Sequence, residues 1–426
     1  MIESAIAAFQ LPDVRRKILF TVGLLVVFRF VAHIPLPGVN TALLGEFFAG
    51  NQLLGFMNLM SGGALENFSV VALGVYPYVT ANIASTVLVP LIPPLQELSK
   101  EGESGRRKIA QWTRLATIPF AMLQGFGQIQ ILRSAEQGLL SPNLGAFDIV
   151  VMLIVMAAGT MFLLWMGELI TENGIGNGVS IIIFAGIVAG APAALGQSLF
   201  SGENIGGFVA VVIIGLMMIA AIVFVQEAQR RIPVQYAKRV RGNKMYGGQS
   251  THIPLKVNSA GMIPLIFAFS LMLLPGTVAS YFESSKIDWV ANAAGAIASG
   301  LSPNSGVYWL FTFLLVIVFT YVYTLVVFQQ QNLAENLQKN GGFIPGIRPG
   351  RPTQRYLAGV VNRITVAGAV FLGFIAVVPF LAQTVTGAQA VAISATGLLI
   401  VVGVVLDTMR QLESQLMMRN YEGFIR

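Results

Sequence analysis

The chain contains no cysteine, and its only two histidines, His33 and His252, lie in separate loops. Disulfides, thiolate metal sites and a cysteine nucleophile are thereby excluded. Charge is scarce too: 11% of the 426 residues are Asp, Glu, Lys or Arg, whereas a soluble domain carries about 25%. No GxxxxGK[ST] stretch provides a phosphate cradle, no HExxH a zinc site, and no low-complexity tract or long hydrophilic domain interrupts the chain. Ser-His arrangements and pairs of aspartates at membrane depth are also missing, so no catalytic constellation of an intramembrane protease is present. The expectation is a chain that is not an enzyme and uses no cofactor.

What is there is apolar: 55% hydrophobic residues and a mean hydropathy of +0.73. This composition belongs to a polytopic membrane protein. Apolar windows of spanning length predict ten helices at 18–34, 70–92, 115–132, 147–167, 179–199, 207–226, 259–282, 307–328, 358–381 and 390–406. The first follows Arg15, Arg16 and Lys17 in the manner of a secretory signal. Its run reaches Ile34, however, and Pro-Leu-Pro-Gly stands where a cleavage site would need small residues, so it is expected to be a span. With the amino terminus in the cytoplasm, 23 of the 26 Lys and Arg residues fall in the tails and cytoplasmic loops. That asymmetry places both termini in the cytoplasm. Ten spans divide into five and five, residues 1–199 and 200–426. A five-helix unit enters on one side and leaves on the other, so a second copy is inverted, the arrangement of many transport proteins with a midplane site.

The stretch FMNLMSGGALENFSVVALGVYPYVTANIASTVLVPLIPP, 56–94, does not fit a simple span. Phe56 to Leu65 is too apolar for a solvated loop and too short to cross, and a Gly-Gly pair and Glu66 separate it from Val70–Ile92. A short helix dips in, the chain breaks, and a full helix follows. Irregular backbone at membrane depth survives only where protein buries it or where it lines a water-filled cavity, so the fold is expected to enclose a cavity. The acidic residues at span margins, Glu168, Glu172, Glu227 and Asp407, are all assigned to the cytoplasmic side. Only Arg29 lies inside a span, where it snorkels outward or pairs within the bundle. Val75 and Val79, like Val179 and Ile183, stand four apart and share a helix face, with Gly74, Pro77, Gly174, Gly176 and Gly178 nearby hinting at close packing. Lipid-facing valines would give the same spacing.

Two cytoplasmic loops are long for so tight a chain: 229–258, and 330–356 with its basic stretch QKNGGFIPGIRPGRPTQRY at 338–356. They set topology beside anionic headgroups, or they dock an acidic or nucleic-acid-bearing partner.

Six stretches carry a resemblance: 62–83 (GGALENFSVVALGVYPYVTANI), 100–114 (KEGESGRRKIAQWTR), 170–190 (ITENGIGNGVSIIIFAGIVAG), 229–239 (QRRIPVQYAKR), 249–268 (QSTHIPLKVNSAGMIPLIFA) and 340–350 (NGGFIPGIRPG). In this order they resemble the bacterial SecY family, channel subunits of the Sec protein translocon, from Arg15 to the last helix. The resemblance implies an all-α polytopic membrane protein with ten transmembrane helices in two inverted pseudo-symmetric five-helix halves around an hourglass pore. It implies a pore ring of Val75, Val79, Val179, Ile183, Ile266 and Ile400, and a plug at 56–66 that includes Phe56, Met57, Leu59, Met60 and Leu65. A lateral gate lies between helices 2–3 and 7–8, with Thr80 and Asn258 as its polar residues. Docking falls to Arg239, Arg241, Lys244, Arg348 and Arg351, while Asn243 stands where many relatives have a second basic residue. The implied partners are SecE and SecG, the SecA ATPase, the ribosome with its rRNA and exit-tunnel proteins, membrane lipid, and a translocating polypeptide with its signal peptide. The implied location is the bacterial plasma (inner) membrane.

The expected function is therefore passive conduction of secretory polypeptides across the membrane and lateral insertion of membrane proteins. A hydrophobic constriction offers a small ion no ligands, and a docked motor or ribosome supplies the energy. The alternative, a small-solute secondary transporter with inverted repeats, should show ionisable residues at midplane.

Overall fold

Each expected window coincides with a helix. The computed structural model describes residues 11–40, 43–44, 58, 61–134, 139–140, 145–200, 205–236, 239–241, 244–246, 250–282, 287–302, 305–331, 333–386 and 389–422. In the amino-terminal half these form α1 (Pro12–Val31), α2 (Tyr76–Leu91), α3 (Pro93–Lys100), α4 (Glu103–Ser134), α5 (Ala146–Asn173) and α6 (Gly178–Phe200). The other half contains α7 (Ile205–Glu227), α8 (Ile263–Phe282), α9 (Asp288–Gly300), α10 (Gly306–Gln331), α11 (Leu333–Lys339), α12 (Arg351–Thr386) and α13 (Gln389–Glu422). Among the described residues, Glu103–Arg133, Ala146–Asn173, Gly306–Lys339 and Arg351–Val378 are long and apolar enough to cross a membrane. Tyr76–Leu91 and Pro93–Ser99 pass the same test together and are bent by 100° at the break between them.

Two boundaries differ from the apolar pattern. The second span was expected from Val70 but its helix starts at Tyr76, because Gly74 takes φ +57° and Pro77 sits in the first turn. Pro is tolerated there and breaks the helix ladder further in. The basic stretch 100–114, expected as a loop, is largely the start of α4, and Gly102 at φ +85° makes the turn before it.

Helix packing repeats between the halves. In the first, α1 packs on α5 and α6, α4 on α2 and α5, and α5 on α6. In the second, α7 packs on α12 and α13, α10 on α8 and α12, and α12 on α13. Matching the helices in order turns one set of pairs into the other. The halves meet where α8 touches α2 and α4, and where α6 touches α7 and α13.

To the helices the structure adds a sheet in the long loops. β1 (Gln229–Tyr236) pairs antiparallel with β4 (Ser250–Lys256), and with β5 (Gly342–Phe343) on its other edge. β2 (Arg239–Arg241) and β3 (Lys244–Tyr246) close the hairpin. Ile232, Val234 and Leu255 are buried with Leu337, Ile344, Leu357, Val360 and Val361, fixing the sheet to α11 and α12.

Candidate functional site

Residues 61–75 are built of turns yet deeply buried: Ala64, Phe68 and Val71 are fully enclosed and Leu65 is 1% exposed. Their polar groups find local partners. Gly63 N–H donates to the Asn58 carbonyl at 2.9 Å, Leu65 N–H to Ser61 Oγ at 3.0 Å and Ser69 N–H to the Ala64 carbonyl at 3.0 Å. Leu36 N–H reaches the Phe68 carbonyl and Val70 N–H the Ile34 carbonyl, each at 3.0 Å, tying the segment to the end of α1. This meets the condition for non-helical backbone at depth. Leu65 is the expected plug residue the structure describes; Phe56, Met57, Leu59 and Met60 lie outside the described residues.

Two contacts hold the segment against the bundle. Arg29, of the two roles open to it, pairs internally: its Nη1 donates to the Gly62 carbonyl at 3.0 Å. Gly62 also lies against Gly186 of α6, so closely that a Cβ on Gly186 would stand 2.3 Å from Gly62 Cα. Gly62 has φ +76°, a conformation glycine adopts without steric cost.

The six expected ring residues lie just before α2 (Val75) or on α2, α6, α8 and α13, and all belong to or pack against the large apolar core that both halves share. Val75, Val79, Ile183, Ile266 and Ile400 are buried. Val179 is half-buried and packs against the same cluster, with Cγ2 near Gly167 of α5.

At the seam between halves, Thr80 is 6% exposed; it accepts from Gln124 Nε2 at 3.1 Å and donates to the Tyr76 carbonyl at 3.2 Å. Asn258 Nδ2 donates to the Gly261 carbonyl at 3.0 Å, and its Oδ1 is buried without a partner. The two expected gate residues thus bond within their own halves. Across the seam the structure shows a residue that sequence reasoning missed: Tyr76 hydroxyl donates to the Ser270 carbonyl of α8 at 2.5 Å. Gln124 and Gln128, buried amides four apart on α4, were missed as well. Their spacing on an apolar span was a usable signal.

Of the docking residues, Arg239, Arg241 and Lys244 lie on the β2–β3 hairpin, with Arg241 opposite Lys244. Arg348 is exposed, and Arg351 opens α12 beside a cavity of about 370 Å³ that Glu335, Gln338 and Asn362 help line. The β1–β5 pairing makes the two basic loops one platform. Beneath it Arg410 bonds Glu227 at 2.9 Å and the Gln226 carbonyl at 2.5 Å. Lys256 shares this cluster, and burial together with Arg410 holds its ammonium below the usual lysine range. No group of three or more His, Asp or Glu able to hold a metal occurs among the described residues.

The SecY family model matches residues 69–409. The protein translocase subunit SecY of Streptomyces coelicolor is 46% identical over 442 residues, covering 100% of both chains. Among solved structures, one described as a protein conducting channel aligns over 96% of each chain with a TM-score of 0.65 at 18% identity. Sec61 in a canine ribosome-channel complex aligns over 96% of each with a TM-score of 0.60 at 17% identity, a likeness of fold. Matched along most of its length and close to half identical to a member end to end, the chain belongs to the SecY family.

Proposed function

We propose that this chain is a passive protein-conducting channel of the bacterial plasma membrane, with both termini cytoplasmic. It passes secretory polypeptides across the bilayer and releases apolar segments sideways into it. The observation that supports this reading is an irregular buried segment packed into the apolar core shared by both halves, in which Val79, Ile183, Ile266 and Ile400 come from four different helices. An apolar collar excludes ions by dewetting, and flexible aliphatic side chains close around a moving chain. Val75, Val79, Val179, Ile183, Ile266 and Ile400 form the collar in this reading. Residues 56–66, with Phe56, Met57, Leu59, Met60 and Leu65, seal it at rest. We place the division between halves at residues 199 and 200.

The lateral gate runs along α2 and α4 on one side and α8 with α10 behind it on the other. Thr80 and Asn258 supply polar groups near that seam. The joined platform, through Arg239, Arg241, Lys244, Arg348 and Arg351, receives the SecA ATPase or the ribosome. SecE and SecG complete the assembly. A small-solute transporter is not favoured: among the described residues no Asp, Glu, Lys, Arg or His is buried in the core, where ion coupling would need one.

Reconstitution into vesicles with SecE, SecG and SecA tests the reading. With ATP, a signal-bearing precursor is expected to become protease-protected. Absence of protection in vesicles whose SecA hydrolyses ATP on precursor addition refutes it.

A further inference from the structure

We propose that Tyr76 is a specificity-determining residue, a latch across the gate seam that sets how apolar a segment must be to part α2 from α8. The inference rests on the reading of this seam as the gate.

The hydroxyl of Tyr76 and the main-chain carbonyl of Ser270 are 194 residues apart in sequence and 2.5 Å apart in space. Both ends are positioned by local backbone. Gly74 at φ +57° turns the chain, Tyr76 is the first residue of α2, and Pro77 holds that first turn in helical geometry. On the other side the acceptor is the main-chain carbonyl of Ser270, fixed within α8. Ser270 is 1% exposed, so water does not compete for its carbonyl in the closed seam.

The neighbouring polar bonds do not cross the seam. Gln124 to Thr80, and Thr113 to Ser85 at 3.0 Å, tie α2 to α4 within one half. These helices therefore move together, and opening against α8 breaks the Tyr76 bond. A hydrogen bond between membrane helices shifts such an equilibrium by about three- to tenfold. That corresponds to about one or two methylenes of a segment entering lipid. Tyr76 thus raises the apolarity threshold for lateral release by this small, defined step.

The chain has no cysteine, so Leu88→Cys on α2 and Val278→Cys on α8 accept spin labels cleanly in the assembled, reconstituted channel. Both positions are 44% exposed. Pulsed dipolar spectroscopy then reports the separated fraction at rest and with a precursor trapped in transit. Tyr76→Phe is expected to raise the separated fraction at rest three- to tenfold. It should also allow insertion of test segments about one or two methylenes poorer than the native threshold, as made by one or two Leu→Val replacements. Ser270→Ala keeps the backbone acceptor and is expected to match the native channel.

If the trapped precursor widens the native seam while Tyr76→Phe leaves both the resting distribution and the threshold unchanged, the latch is overturned and the gate stands. If Ser270→Ala reproduces the effect of Tyr76→Phe, the side-chain hydroxyl is the operative group and the proposed bond is overturned. A native seam that does not widen around the trapped chain refutes the gate reading, and the latch with it.

Discussion

Replacing Gly186 with alanine should unseat the segment that closes the resting channel. The new Cβ would lie 2.3 Å from Gly62 Cα and 3.0 Å from Gly62 N. Carbon atoms prefer separations of about 3.5–4.0 Å, so one partner must retreat by more than about 1 Å. Helix α6 is held by α1, α5 and α13, whereas the 62–63 turn is held by the Arg29 bond and a few local ones. The turn yields first, and the Arg29–Gly62 bond stretches with it. Overpacking of this kind costs about 1–3 kcal/mol, which changes the seated-to-displaced ratio by about 5- to 150-fold. The assay is ion conductance of the assembled channel in a planar bilayer without precursor, read beside Gly23→Ala, where an added Cβ meets nothing within 4 Å. Gly186→Ala should leak and Gly23→Ala should not, with precursor transport retained in both. A tight Gly186→Ala channel would refute the assignment of this turn as a displaceable seal.

Three further outcomes are expected. Ile183→Gly combined with Ile266→Gly removes two buried side chains from the collar, and the resting channel should conduct ions; unchanged conductance contradicts the ring. Arg348→Glu reverses one exposed charge of the platform and should lower SecA-driven export severalfold at unchanged melting temperature, so normal export removes Arg348 from the docking surface. Arg410→Ala leaves the Gln226 carbonyl and Glu227 without their guanidinium and should cost about 1–3 kcal/mol. A thermal melt of the solubilised complex checks this, and an unshifted transition contradicts the view that Arg410 ties α13 to α7.

Composition and periodicity alone were enough to establish a polytopic helical membrane protein, because crossing a bilayer demands long apolar runs and satisfied backbone. The charge asymmetry carried its orientation, and the interrupted apolar stretch at 56–94 announced buried irregular chain. The sheet was missed: Ile232 and Val234 stand at alternate positions in QRRIPVQY, a usable strand signal, but the basic charge made the region read as a loop.

Only tertiary structure decided which residues meet. Val75, Ile183, Ile266 and Ile400 share a cluster because two halves pack face to face, and each alone looks like any lipid-facing aliphatic. Residues 68–70 bond to 34–36, which fixes where the irregular segment before α2 sits. Arg29 finds a carbonyl in a turn 33 residues away. Tyr76 finds its partner on a helix of the opposite half. Such contacts depend on distance in space, and spacing along the chain carries no record of them.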